Sequence, residues 1–503
     1  MQQLTPVRTG HREQLEKPRH VAVVGGGLAG VAAAIILAER GAKVTLVERE
    51  TVLGGRVSGW TDQLKTGESY EMERGFHAFF RQYYNLRRLL RRIDPELRNL
   101  TPLEDYPIHG PGGSVETFRK LPKRAPFNVA TLVMRTPHLK FSDLLRTNAR
   151  AALTMLKYDA ATTYGEYDSR TAREYLDSLN FPPHARRMLF DVFSHSFFNP
   201  EEEMSAGELL MMFHFYFLGN PEGLIFDVLN EPFSDGLWAT FTRYMENMHI
   251  KIQLETEVEK LTRSKGGKWQ VHLKGKKKNL AADAVVLAVT VPALQQIVAA
   301  SIGLKDDAWR DSIKQLQLTW PFAVWRIWLD KEARPGRHPF VGTAGLGMID
   351  NISLYELFEG ESRRWVMRNG GSIVEIHAYA VPPEKSEKEI KEFFLKRLHE
   401  LYPETKDANI LEERFLWRQD CPAFGPGSYA SRPTVQTPFD GLTLAGDLVR
   451  LPIPSALMEK AVTSGMMAAN HLLADWDVRG ETLYSIPLRG IMAGFGSQKQ
   501  LTS

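Results

Sequence analysis

Three glycines, Gly25, Gly27 and Gly30, follow directly on the β-branched run of residues 20–24, and an acidic residue, Glu48, closes the next apolar run. That spacing is suited to holding a dinucleotide. The first glycine allows a tight turn, the second lets backbone approach a pyrophosphate, and the third lets a helix pack on the strand. Leu28 and Ala29 open that helix, so its N-terminus would face phosphate charge. Glu48 can accept hydrogen bonds from both ribose hydroxyls and would repel a 2′-phosphate, which disfavours NADP. Beyond it and Arg49, the turn Gly54-Gly55-Arg56 offers a second close approach to the diphosphate with a cation beside it. Far along the chain, Leu442-Thr443-Leu444-Ala445-Gly446-Asp447 is another strand-then-turn, followed by Met458-Glu459 at a helix start.

The elements that must position these residues are legible in the same stretches. Residues 20–24 read as a strand, 29–40 as an Ala-rich helix with Gly41 at its C-cap, and 43–48 as the second strand. Residues 256–261, which include Val258, and 282–290 look like a returning strand pair able to close over an adenine. The late Gly446-Asp447 element would reach a ribityl chain and flavin. If both ends contact one dinucleotide, the long stretch between them is inserted into one nucleotide-binding fold and carries substrate specificity.

Taken together these parts resemble the glutathione-reductase-like FAD superfamily, in its amine oxidase and carotene desaturase branch. Glu73-Arg74-Gly75-Phe76-His77-Ala78-Phe79-Phe80 with Tyr84-Asn85 resembles the plant-type phytoene and ζ-carotene desaturase loop. Residues 433–447 and Pro454-Ser455-Ala456-Leu457-Met458-Glu459 resemble the C-terminal signature of those enzymes, whose Met-Glu turn presents backbone N–H groups to the flavin pyrimidine. Two positions depart from the pattern: Arg81 and Lys460 stand where glycine is usual. Residues 79–87, 233–238 and 350–356 are instead similar to the carotene desaturase/methyltransferases that turn β-ionone end rings into aromatic rings.

The resemblance implies FAD as cofactor and an α/β fold: a Rossmann-type FAD-binding domain with an inserted α+β substrate domain and a helical, membrane-associated region. The FAD-binding parts would be residues 19–100, 241–300 and 436–475. Residues 101–240 would be the helical insert, 301–435 the substrate domain with its mixed sheet, and 476–503 a tail. The substrate implied is a carotenoid, β-carotene or γ-carotene-like. The reaction suits a flavin acting twice, because a β-ring has one ring double bond and an aromatic ring three. The quaternary ring carbon must also pass one methyl to its neighbour, and a cation formed by hydride loss would drive that shift. A membrane quinone or oxygen would be the electron acceptor.

Composition sets the frame. At 43 % hydrophobic and 24 % charged, the 503 residues suit a globular protein with two or three cores. A net charge of +3 argues against a nucleic-acid partner. The single cysteine, Cys421, excludes an internal disulfide and thiolate metal sites. The polar, basic start lacks a secretory signal, and the glycines in residues 21–38 argue against a membrane span there. Residues 126–158 mix large apolar side chains with Lys140, Arg146, Arg150 and Lys157, as a basic amphipathic helix on a bilayer would, or as a solvated face over a core would. Residues 486–495 are a second such contact. The expected place is therefore the cytoplasmic face of a membrane, peripheral to it.

Residues 100–245 read as mostly helical, with helices over 164–181 and 183–193. Residues 209–217 are either a buried core helix or the wall of a substrate tunnel. Residues 319–329 and 372–381 alternate as strands, with a turn at Asn369-Gly370-Gly371. Ser386 with Glu389 forms a capping box opening a helix to Leu401, with Ile390, Phe393, Phe394 and Leu398 inward. Residues 274–278 read as a solvated hairpin tip.

No serine-hydrolase elbow, metal-binding histidine pair or phosphate-binding lysine loop is present. The chemistry needs a base and a face for a cation. His77 is the leading acid–base residue, against a buried hydrogen-bonded role. Glu73 is a base or a structural partner of Arg74 or Arg56. Asp235, like Glu231, is a base or a cap before the helix at Leu237. The other readings are a polyene desaturase or carotene isomerase of the same fold, a flavin amine oxidase, and a carotenoid carrier that keeps FAD for structure.

Overall fold

Continuous β-branched runs from the start, middle and end of the chain meet in one parallel sheet. In this computed structural model its strands lie in the order Lys251–Gln253, Lys43–Val47, His20–Val24, Ala284–Leu287 and Leu442–Leu444. The structure describes residues 1–4, 9–103, 105–117, 119, 122, 127, 131, 148, 154–180, 186 and 198–493. Val21 and Val23 pair with Val44 and Leu46 on one side and with Ala284 and Val286 on the other. These strands are buried on both faces, which is why they read as unbroken apolar runs.

Helix Leu28–Glu39 and helix Leu457–Asp475 cover the sheet and pack on each other. Their approach is close: a Cβ on Gly465 would lie 2.1 Å from the carbonyl oxygen of Ala29. The two ends of the chain are thus one structural unit.

The strands after residue 256 pair differently from expectation. Val258–Arg263 is antiparallel to Trp269–Leu273, which pairs on with Leu280–Ala282. Ala284–Leu287 leaves that ribbon for the parallel sheet, as its solid Ala-Val-Val-Leu run requires. Residues 274–278 form the exposed tip between the last two ribbon strands.

A seven-stranded mixed sheet carries the other half. Its order is Ile410–Arg418, Phe322–Leu329, Ser372–Ala378, Asn351–Leu354, Phe340–Thr343, Ile108–His109 and Val115–Glu116. Helix Glu387–Leu401, opened by the Ser386/Glu389 capping box, buries Ile390, Phe394 and Leu398 against it. Phe393 is partly buried on the same cluster.

Among the described residues of the range 100–245, strands interrupt the expected helices. Ile108–His109 and Val115–Glu116 join the large sheet, while Phe226–Leu229 pairs with Phe79–Phe80 and Leu100–Pro102. The expected helix over 164–181 is two helices, Thr163–Tyr167 and Ala172–Ser178. Thr171 and Glu174 form a capping box inside it, a start signal that outweighs the continuing apolar period. The helices expected over 126–158 and 183–193 lie largely outside the described residues. Among the described residues no helix is long and apolar enough to cross a membrane.

Candidate functional site

One cavity of about 800 Å³ runs between the parallel sheet's C-terminal edge and the seven-stranded sheet. Gly25, Gly27, Leu28, Ala29, Glu48, Arg49, Gly55, Arg56, Val258, Gly446, Asp447 and Met458 all line it. The glycines divide by function. Gly25 has φ +105° and its Cβ would meet the Ala288 carbonyl at 2.2 Å, while a Cβ on Gly30 would sit 1.9 Å from the Gly25 carbonyl. Both are demanded by the fold itself. A Cβ on Gly27 would find its nearest neighbour, the Gly54 carbonyl, at 3.8 Å. Gly27 therefore leaves space that only something in the cavity would use.

The second glycine turn is tied to the first, Gly54 N–H donating to Gly26 O at 2.9 Å. Glu48 is pinned beside them, accepting from Gly26 N–H at 2.6 Å and Glu50 N–H at 2.9 Å. Arg49 pairs with Glu50 and stays mostly exposed at the rim. Ala288, Val289 and Thr290 also line this end. They were read as strand; the general position of ligands at the C-terminal ends of parallel strands is the signal that marks them.

The late element closes the cradle. Gly446 has φ +127° with nothing nearer to its would-be Cβ than Leu448 at 3.7 Å. Asp447 forms an ion pair with half-buried Arg56, and this carboxylate keeps the guanidinium charged. Helix Leu457–Asp475 begins at Ala456, which gives no side-chain cap, and Leu457 holds φ +48°. Its first-turn N–H groups are thus left for an acceptor in the cavity. Glu459 turns away. It accepts from Asn85 N–H, Asn85 Nδ2 and Leu86 N–H, each at 2.9 Å, and burial pushes its carboxyl up to about 8. Lys460 is buried and lines the cavity, its ammonium 4.2 Å from the Phe424 ring centre, and burial lowers it to about 8.

This cradle fits FAD: a carboxylate for the adenosine ribose, two linked glycine turns and a helix N-terminus for the diphosphate, and an uncapped helix start for the ring system.

The remaining wall is aromatic. Phe76 stacks on Phe340 at 4.5 Å, Tyr106 lies 4.6 Å from Phe226, and Phe80 is 5.3 Å from Phe226. Met212 and Tyr216 add one face of the segment 209–217, which is buried in the core and lines the cavity.

The three acid–base candidates part company. His77 lines the cavity. Its Nδ1 lies 2.7 Å from the Gly75 carbonyl, an acceptor only, so Nδ1 carries the hydrogen and Nε2 the lone pair. Burial lowers it to about 4, so it is neutral near pH 7. Glu73 is outside the cavity lining, in a buried network with Arg326, Glu375 and Tyr355. Tyr355 Oη lies 2.8 Å from Glu73 and 2.9 Å from Glu375. One hydroxyl hydrogen serves only one of them, so a protonated Glu73 completes the set. Burial raises Glu73 to about 7, in keeping with that. Asp235 is exposed, on the turn Ser234–Trp238, and does not line the cavity. Among the described residues no cluster of His, Cys, Asp and Glu could hold a metal.

Sequence reading passed over Tyr379 and His377, which line the cavity from the end of strand Ser372–Ala378. Glu375, His377 and Tyr379 alternate, so they share one face of that strand, and this period is visible in the sequence.

The chain belongs to the flavin containing amine oxidoreductase family, whose model matches residues 28–473. Its cofactor is FAD and it is an oxidoreductase. It is 46 % identical to a carotenoid phi-ring synthase of Streptomyces griseus, over 93 % of this chain and 90 % of that one. It is 27 % identical to a carotenoid phi-ring synthase of Chlorobaculum tepidum, over 96 % and 92 %. Among solved structures, the cyclohexylamine oxidase of Brevibacterium oxydans IH-35A superposes with a TM-score of 0.67 at 15 % identity, covering 91 % of this chain and 99 % of that one. At that identity the likeness is one of fold.

Proposed function

We propose that this chain oxidises the β-ionone end rings of a carotene, with a 1,2-methyl shift, to aromatic rings. The observation that carries the reading is one continuous cavity, a dinucleotide cradle at one end and an aromatic wall at the other. The 46 % identity to a phi-ring synthase supports the same substrate class. A β-ring becomes aromatic by losing two hydrides and two protons. Bound FAD supplies the two-electron acceptor for each hydride. The chain's residues orient the ring, exclude water and handle charge. Phe76 and Phe340 present ring faces that stabilise a cation better than aliphatic side chains would. His77, with its lone pair on Nε2, lines the same cavity.

The substrate is a hydrocarbon that resides in lipid, so the protein works as a peripheral protein on the cytoplasmic face of a membrane. Ile491 and Met492 on the tail are 51 % and 45 % exposed, which supports a contact there. A membrane quinone or oxygen reoxidises the flavin.

The test is expression in cells that accumulate β-carotene, followed by pigment extraction. Aromatic end groups are expected. Unchanged β-carotene together with desaturation of acyclic precursors would move the chain to the polyene desaturases instead.

A further inference from the structure

Resting on the ring-oxidation reading, we infer that Tyr379, backed by His377 and Glu375, takes one of the two protons that the end ring gives up, the one lost after methyl migration. Three alternate residues of one strand face form an unbroken hydrogen-bonded line into the cavity. Glu375 Oε1 is 2.6 Å from His377 Nε2, and His377 Nδ1 is 2.9 Å from the Tyr379 hydroxyl. Glu375 is fully buried and His377 is 2 % exposed, whereas Tyr379 lines the cavity.

The direction of the line follows from its buried end. Arg326 Nε donates to Glu375 at 2.7 Å and Phe76 N–H at 2.9 Å. The Arg326 guanidinium, with the hydrogen bond to His377, outweighs burial and holds the Glu375 carboxyl at about 2, ionised and accepting only. His377 Nε2 therefore carries hydrogen and donates to it. In the neutral ring Nδ1 then has the lone pair, and Tyr379 O–H donates to it. This is the arrangement of a carboxylate–histidine–hydroxyl triad, with tyrosine as the outer group.

The surroundings place the hydroxyl. Asn351 Nδ2 donates to it at 3.1 Å, and Asp350 Oδ2 accepts from Tyr379 N–H at 2.6 Å. Both come from the 350–356 segment that resembles the ring-aromatising enzymes. Ala380, the next residue, is held at φ +50°. Such strain at a non-glycine residue is kept only where neighbours enforce it.

The step balances as follows. After hydride removal and methyl migration, a ring C–H bond of the cation breaks and its electron pair closes a ring double bond. The proton forms an O–H bond on Tyr379 as that hydroxyl's own proton passes to His377 Nδ1. The imidazolium so formed faces the Glu375 carboxylate. Once the product has left, the proton returns by the same hydroxyl. His77 lacks this support: no carboxylate lies within hydrogen-bond distance of it among the described residues. A buried imidazolium without an anion is costly. His77 therefore serves as a neutral wall of the cavity.

The test uses the FAD-loaded protein and β-carotene in detergent micelles, without oxygen for flavin bleaching and in air, which reoxidises the flavin between its two turnovers, for aromatic product. Tyr379→Phe keeps the ring against Phe198, whose centre is 4.7 Å away, and removes only the hydroxyl. Its FAD content should match wild type, and anaerobic bleaching of the flavin absorbance by β-carotene should persist. Aromatic product should fall by about 100-fold or more, the usual worth of a positioned proton acceptor. His377→Asn should do the same, which covers the case of a Tyr379→Phe protein that does not fold. Wild-type yield of aromatic product in either folded variant overturns the inference. So does loss of bleaching at full FAD content, which would make Tyr379 a binding residue. Failure of the parent reading is told apart by the wild-type protein itself, which would then leave β-carotene unchanged and form no aromatic ring.

Discussion

At the scale of the residue, glycines of one motif answer to different demands. Gly30 is required by a backbone oxygen 1.9 Å from its absent Cβ, and Gly27 by nothing in the chain nearer than 3.8 Å. The two should therefore fail in different ways. Gly27→Val should fold, melt near wild type and purify without yellow colour, because its side chain fills the diphosphate's place. Gly30→Ala should lose soluble protein or several degrees of melting temperature through forced separation of helix and turn, with overpacking worth about 1–3 kcal/mol. Absorbance at the flavin band together with a thermal melt checks both. A yellow Gly27→Val protein would sink the assignment of that turn.

At the scale of the element, the helix contact at Gly465 joins the two halves of the cofactor cradle. A methyl there would press on the Ala29 carbonyl, 2.1 Å from the ideal Cβ. The helices would separate, taking Gly27 and Met458 apart although neither is mutated. Gly465→Ala should thus weaken FAD binding about tenfold or more, as a loss of ~1.4 kcal/mol does, measured by release of flavin on dilution. Wild-type retention would mean that the helices yield elsewhere. This contact was not legible in the sequence, because it depends on which helix meets which. Local chemistry was legible: the Gly25–Gly30 turn, and the Ser386/Glu389 capping box that opens a helix at the expected residue. Non-local pairing was not. Phe226–Leu229 finds its partners at Phe79–Phe80 and Leu100–Pro102, and nothing in its own four residues points there. The candidate site divides in the same way. The cradle follows from turns with known spacing, whereas Tyr379 and His377 needed the sheet order to bring their strand to the cavity. Their alternation with Glu375 was visible, but strand alternation is common, and only the 0 % exposure of Glu375 makes it chemical.

At the scale of the whole molecule, one buried carboxyl ties three distant segments together. Glu459 on the late helix accepts from Asn85 and Leu86, and Asn85 in turn exchanges hydrogen bonds with Tyr484 of the tail at 2.8 and 2.9 Å. The Met-Glu and Tyr-Asn parts of the sequence pattern are thus explained by one knot that holds the loop, the flavin-side helix and the C-terminal segment. Burial raises Glu459 to about 8, above the ordinary carboxyl value. Between that ordinary value and 8 the folded state keeps a proton that the unfolded chain has released, so stability falls as pH rises through the window. His77 and His214, lowered to about 4, act oppositely: the unfolded chain binds the protons, and stability rises with pH up to their ordinary value. Above about 6.5 the histidine contribution has ended. The carboxyl slope then stands alone among these groups, at up to ~1.4 kcal/mol per pH unit for one proton. The melting temperature of the FAD-loaded protein should accordingly drop between pH 6.5 and 8. Glu459→Gln, which keeps one acceptor oxygen for Asn85, sets its NH2 against the Leu86 N–H and cannot ionise, should melt lower overall but flatten that drop. Melting curves of the two proteins with parallel pH slopes would show that the knot does not titrate.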